Sequence, residues 1–282
     1  MRKTIEETEL EIKLKSTNIA MDSALYKNHR KSRFISILLV SSAISLGCGT
    51  STSMAERHTA SIAASISETY GPFSELSDQD LNTLAAEISV QIEPESNSGS
   101  GVIASRNNDH YIILTNTHVI LGKKRVIIKT KDHQQHVGKV VYRIPELDAA
   151  AVEFFSQNDY RVANFARGST PTGSRVWGVG FPSESNRFTI RNGRISYWLN
   201  PAFREGYQIG YTPRIEQGMS GGAILTSHGT VVGINGMTAH PIIDRAYTFP
   251  NGSRPNLADR RRYRQVSWGV STNLILSRIV LQ

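Results

Sequence analysis

From Ile88 onward the chain is a succession of short runs rich in Val, Ile, Ala and aromatic residues, cut by polar turns. That rhythm constrains the fold more than any other feature. Five runs lie at 101–104, 111–115, 125–130, 137–142 and 149–154, and seven more at 175–180, 188–191, 194–198, 208–211, 222–225, 231–234 and 268–270. Amphipathic helical stretches do not alternate with them, which argues against a parallel βαβ sheet. The gap near 157–174 divides the runs into two groups and predicts an all-β protein of two small barrels, about 86–157 and 174–282. Helical patterns flank them. Ser77 followed by Asp80 is a capping signal, with Leu81, Leu84 and Ala85 on one face. Leu274, Ile275, Ile279 and Val280 form the apolar face of a closing C-terminal helix.

Composition narrows the class. The 282 residues are 39% hydrophobic and 20% charged, which suits a packed globular protein and not a disordered one. Cys48 is the sole cysteine, so no intrachain disulfide forms and packing alone holds the fold. The net charge of +8 is partly N-terminal, since 1–55 hold eight Lys/Arg against five Asp/Glu. The remaining excess includes Lys123, Lys124, Arg125 and the group Arg260, Arg261, Arg262 and Arg264. None is interleaved with aromatics on one element, so these read as solvated loops and no nucleic-acid partner is expected.

Residues 27–33 (KNHRKSR) precede a 13-residue apolar run, Phe34–Leu46. A basic segment before a short apolar one is the pattern of an export signal, and the run is short for a membrane span. Two processing readings compete: cleavage after Ala55 in Ser53-Met54-Ala55, or lipidation of Cys48 after Leu46-Gly47. An uncleaved anchor is the third. In each case the product is exported, periplasmic or extracellular, with membrane contact only through this segment unless Cys48 is lipidated. Residues 1–20 carry four Glu and sit oddly before such a signal, which makes Met21 a candidate start. The resulting division is an extension and signal at 1–55, a linker and short helix at 56–85, and the barrels at 86–282.

Three segments carry candidate chemistry. Gly218-Met219-Ser220-Gly221-Gly222 places a hydroxyl in a glycine turn whose backbone N–H groups can face one point. By itself it reads equally well as a hairpin turn. Thr115-Asn116-Thr117-His118-Val119-Ile120 sets a histidine at the end of a strand. Asp148 opens a strand of small residues, Ala149-Ala150-Ala151, where it also reads as a plain strand-entry residue. The order His118, Asp148, Ser220 is one of the recurring arrangements of a nucleophile–base–acid triad. Gly218–Gly222 also fits the G-x-S-x-G elbow of α/β-hydrolases. That fold needs an acid and then a histidine after the serine, and 221–240 contain no Asp or Glu.

With Gly99-Ser100-Gly101-Val102 and Val231-Val232-Gly233-Ile234, these segments resemble the chymotrypsin-like (trypsin-fold) serine peptidases, especially bacterial disulfide-free members with a lone peptidase domain. The resemblance spans about 86–282. It implies two six-stranded antiparallel β-barrels and a metal-free, cofactor-free serine endopeptidase acting on protein or peptide substrates. Ser220 is then the nucleophile, His118 the base, Asp148 its orienting acid, and the N–H groups of Gly218 and Ser220 the oxyanion hole.

Where trypsin-type zymogens carry an aspartate before the serine, this chain has Met219, so activation through that ion pair is not expected. The oxyanion loop is then either preformed or shaped by substrate or partner. Family offset places Arg214 and Ile215 at the floor of the specificity pocket, with Asn235 and Gly236 along its wall. Arg214 is expected to point outward, because a buried arginine needs a partner. Residues 240–265 exceed a hairpin connection and read as a surface loop or a border of the cleft. Two alternatives stand beside the enzyme reading. One is a peptide-binding protein on the same fold, non-catalytic or activated by a partner. The other is a quality-control peptidase of the Deg type, whose PDZ modules are not expected after Gln282.

Overall fold

The computed structural model describes residues 74–92, 98–240 and 246–280. The apolar run at 34–46, both processing sites and most of the 56–75 linker lie outside these residues. Among the described residues no helix is long and apolar enough to cross a membrane.

Helix α1 (Asp78–Ile88) begins where Ser77 Oγ accepts from the Asp80 amide at 3.1 Å, and Leu81, Leu84, Ala85 and Ile88 form its buried face. The chain passes directly into β1 (Ser89–Ile92), β2 (Gly99–Asn107) and β3 (His110–Thr115). After a 3-10 turn at His118–Ile120 come β4 (Arg125–Lys129), β5 (Gln135–Arg143) and β6 (Ala150–Phe155). These six strands close a barrel in the order β1-β2-β3-β6-β5-β4, with β1 pairing both β2 and β4.

The second group comprises β7 (Asn164–Phe165), β8 (Arg175–Gly180), β9 (Thr189–Trp198), β10 (Tyr207–Tyr211), β11 (Ala223–Thr226), β12 (Thr230–Met237) and β13 (Ser267–Ser271). Six of them close a second antiparallel barrel, β8-β9-β10-β13-β12-β11, through the β11–β12 pairing. The two-residue β7 adds in parallel to the start of β12. Helices α2 (Leu257–Tyr263) and α3 (Thr272–Val280) complete the described elements, and Ile275 and Ile279 of α3 are buried. Among the described residues the architecture is that of two six-stranded antiparallel β-barrels with three helices.

Strand alternation joins the barrels. On β3, Tyr111 and Ile113 point into the first barrel's core. Ile112 and Leu114 enter a larger core shared with Trp177, Val179 and Ala223 of the second barrel and with α1. Because β3 is buried on both faces, its sequence is a continuous apolar run and not an alternating one.

Two sequence expectations are revised here. The runs at 188–191 and 194–198 form the single strand β9, and Asn192-Gly193 is not a turn. Gly193 instead allows close approach, since a Cβ there would collide with Thr212 and Pro213. The 240–265 segment is also not simply a loop. In its described part Asn256 caps α2, the Tyr263 carbonyl accepts from Trp268 Nε1 at 3.0 Å, and Tyr263 packs edge-on against Trp268.

Candidate active site

The three candidate residues come from separate connections and meet where the barrels join. His118 opens the 3-10 turn after β3. The turn is pinned by Val119 and Ile120, both in the first barrel's core, which leaves the His118 side chain about half exposed (47%). Asp148 lies between β5 and β6 and is 5% exposed. Ser220 stands between β10 and β11 of the second barrel.

Asp148 accepts three hydrogen bonds. The His118 amide donates to Oδ1 at 3.0 Å, and Oδ2 receives His118 Nδ1 and the Tyr207 hydroxyl, each at 2.7 Å. Burial by itself raises the carboxyl pKa. The hydrogen bond and charge of His118, then the Tyr207 hydroxyl and the His118 amide, outweigh it, and the pKa falls below its ordinary 3.8. An ionised carboxylate only accepts, so Nδ1 carries the imidazole proton and Nε2 of the neutral ring presents a lone pair. Burial pulls the His118 pKa down, but the Asp148 bond and the charges of Asp148 and Glu205 prevail and raise it above 6.5. Tyr207 is held as a neutral donor: burial and the adjacent carboxylate push its pKa well above 10.0.

The backbone around Asp148 is fixed as firmly as its carboxylate. Its amide donates to the Glu205 carbonyl at 2.8 Å, a contact from the second barrel. Its carbonyl accepts from Asn116 Nδ2 at 2.7 Å, and Thr117 Oγ1 donates to the Ala149 carbonyl at 2.9 Å. Asn116 and Thr117, part of the segment that marked His118, thus tie the histidine turn to the aspartate strand.

Ser220 Oγ donates to the Gly236 carbonyl at 3.2 Å and not to the imidazole. The peptides before it are all held. The Gln217 carbonyl accepts from the Ser183 amide at 2.8 Å, the Gly218 carbonyl from Ser100 Oγ at 2.7 Å, and the Met219 carbonyl from the Gly222 amide at 3.1 Å. The amides of Gly218 and Ser220 have no partner among the described residues. Gly218 adopts φ 93°, and a Cβ there would lie 2.5 Å from the Phe181 carbonyl oxygen and the Ser183 nitrogen, so only glycine fits.

The remaining sequence candidates divide. Arg214 is exposed and Ile215 is buried. Asn235 is fully buried with both ends of its carboxamide engaged inside the protein. Nδ2 donates to the carbonyls of Val179 (2.8 Å) and Met219 (3.2 Å), and Oδ1 accepts from Tyr211 at 2.6 Å. Gly236 supplies the carbonyl that receives Ser220. Tyr207 and Glu205 were not singled out from the sequence, and no local signal marks them. They reach Asp148 only because the second barrel's β10 and the connection before it pack against the β5–β6 connection.

Comparisons with known proteins bear on the family and the fold. The family model of the trypsin-like peptidase domain matches residues 41–234. The serine protease Do-like HtrA of Bacillus subtilis (strain 168) is 30% identical over 155 residues, 51% of this chain and 34% of that protein. A probable periplasmic serine endoprotease, DegP-like, of Hahella chejuensis (strain KCTC 2396) is 30% identical over 141 residues, 49% and 29% of the respective chains. The chain therefore spans about a third of the length of these curated relatives. Among solved structures, a serine endoprotease from Yersinia pestis superposes with TM-score 0.54 at 22% identity, covering 74% of this chain and 68% of that one. An HtrA-type protease, AlgW with tripeptide, gives TM-score 0.54 at 23% identity, covering 72% and 62%.

Proposed function

Since the chain belongs to the trypsin-like peptidase domain family, we propose that it is a serine endopeptidase whose triad is His118, Asp148 and Ser220. The observation that supports this most is the short bond of His118 Nδ1 to a buried, ionised Asp148 (2.7 Å), beside a serine whose own amide and that of Gly218 have no partner among the described residues. A bound peptide places its scissile carbonyl against those two amides. Ser220 Oγ leaves the Gly236 carbonyl, gives its proton to His118 Nε2 and attacks the carbonyl carbon. The resulting oxyanion is held by the Gly218 and Ser220 N–H groups, and Asp148 stabilises the imidazolium. His118 then protonates the departing amine, and water enters by the same route in reverse to release the acyl group. Side chain, base and backbone donors suffice for each step, so the reading calls for no metal or cofactor.

Substrates are proteins or peptides. The basic segment and apolar run at 27–46, with relatives described as periplasmic, support export as the setting. The test is labelling of the purified full chain by a fluorophosphonate probe, with the adduct located by peptide mass spectrometry. Stoichiometric modification at Ser220 is expected. A folded protein that stays unlabelled would overturn the reading in favour of a peptide-binding role.

The electrostatics set a pH profile. The imidazole must be neutral to act as base, and its pKa is raised, so kcat/KM climbs with pH through an inflection above 6.5. In Tyr207→Phe the Asp148 carboxylate loses one donor and binds the imidazolium more strongly. The inflection should move further up, with KM unchanged, as expected when the carboxylate loses a competing hydrogen bond. Rate profiles from pH 5 to 9 for both proteins decide it. An unshifted inflection removes Tyr207 from the site.

A further inference from the structure

The loop before Ser220 lacks the aspartate that shapes it in trypsin-type zymogens, yet in this structure each of its peptide planes is pinned. The 217–218 plane is fixed by the Ser183 amide, and the 219–220 plane by the Gly222 amide and Asn235 Nδ2. The plane between them is held at its amide, where Met219 donates to the Glu216 carbonyl at 3.0 Å, and at its carbonyl by the side chain of Ser100. This residue lies on β2 of the first barrel and is completely buried. Its amide donates to the Ser220 carbonyl at 2.8 Å, its Oγ donates to the Gly218 carbonyl at 2.7 Å, and the same Oγ accepts from the Phe181 amide at 2.9 Å. Gly218 is the residue of this loop with the softest backbone, because it has no side chain to restrict it. Ser100 therefore grips the loop where it is freest to turn.

We propose that Ser100 is a positioning residue that keeps the oxyanion hole assembled, in place of the missing ion pair. The chain then needs neither N-terminal cleavage nor a partner to form the hole. This rests on the peptidase reading of Ser220. In Ser100→Ala the Gly218 carbonyl and the Phe181 amide both lose a buried partner, and the 218–219 peptide keeps only its Met219 amide bond to the Glu216 carbonyl, leaving the carbonyl end to seek another donor.

The experiment compares the full chain with its Ser100→Ala variant in three measurements. A crystal structure of the variant should show the Gly218 carbonyl displaced and at least one of the two amides turned from the hole. Affinity for a peptide boronate, whose tetrahedral adduct needs both amides, should fall about 10²–10³-fold, in step with kcat. KM should stay within about twofold, because the peptide-binding surface is untouched. A thermal melt excludes global damage. Should the alanine variant fail to fold, Ser100→Cys fills similar space with a weaker donor, and about a tenfold loss in kcat is expected. The assignment is overturned if either folded variant keeps wild-type boronate affinity, or if the hole retains its geometry in Ser100→Ala. A wild-type chain that hydrolyses nothing, combined with a displaced Gly218 in the variant, would preserve the Ser100 assignment and remove the peptidase reading instead.

Discussion

Ser220→Ala is expected to lower kcat for a fluorogenic peptide by a factor on the order of 10⁶ while peptide affinity stays the same. In the proposed mechanism the hydroxyl is the only part of Ser220 that reacts. The backbone amide assigned to the oxyanion remains, as does the Ser220 carbonyl held by the Ser100 amide at 2.8 Å. In the fold Oγ makes a single 3.2 Å bond to the Gly236 carbonyl from a half-buried position, so its loss barely disturbs stability. The measurement pairs initial rates with calorimetric binding of an uncleaved peptide. A variant whose kcat lies within tenfold of wild type would show that the nucleophile is elsewhere. One that loses binding along with rate would show that Ser220 is structural.

Asp148→Asn should lower kcat by about 10⁴ with little effect on KM. The carboxylate accepts on both oxygens: the His118 amide on one, and the imidazole Nδ1 and the Tyr207 hydroxyl on the other. A carboxamide cannot match that demand. Turned one way, its NH₂ meets the His118 amide, donor against donor. Turned the other way, it faces both the Tyr207 hydroxyl and Nδ1, and forces the ring proton onto Nε2, where the base must act. The acidic limb of the rate profile should also move down, because the imidazolium loses its counter-charge. A second consequence concerns stability. The Asp148 pKa is depressed, so its contribution is complete above 3.8 and is lost as pH falls through the folded value. The variant's melting temperature should therefore vary less than wild type's below that pH. Titrating both proteins by rate and by thermal melt tests each point, and an unchanged rate profile would sink the assigned role of Asp148.

Part of this protein is legible from local pattern alone. Short β-rich runs between polar turns indicate barrels, because alternation and turn chemistry act over a few residues. The Ser77 cap and the α1 face are readable for the same reason. What misled was Asn192-Gly193. It looks like a turn, but a glycine required by close approach of Thr212 and Pro213 carries the same letter as one required by chain reversal. The two-residue β7 and the short α2 were missed because neither is long enough to set up a period. Phe165 is a strand residue only through the core it enters beside β12.

The candidate site divides along the same line. The segments around His118, Asp148 and Ser220 each have a plain reading when taken singly, but together and in this order they are informative, so sequence alone determined which residues to consider and which chemistry they suit. Only the tertiary structure decided how they are held. Tyr207 reaches Asp148 across 59 positions, Ser100 reaches Gly218 across 118, and Asn235 spans 56 to Val179. Such contacts depend on strand register and on how two barrels pack. A serine in one strand or a tyrosine in another leaves no local trace of the carbonyl or carboxylate it will meet.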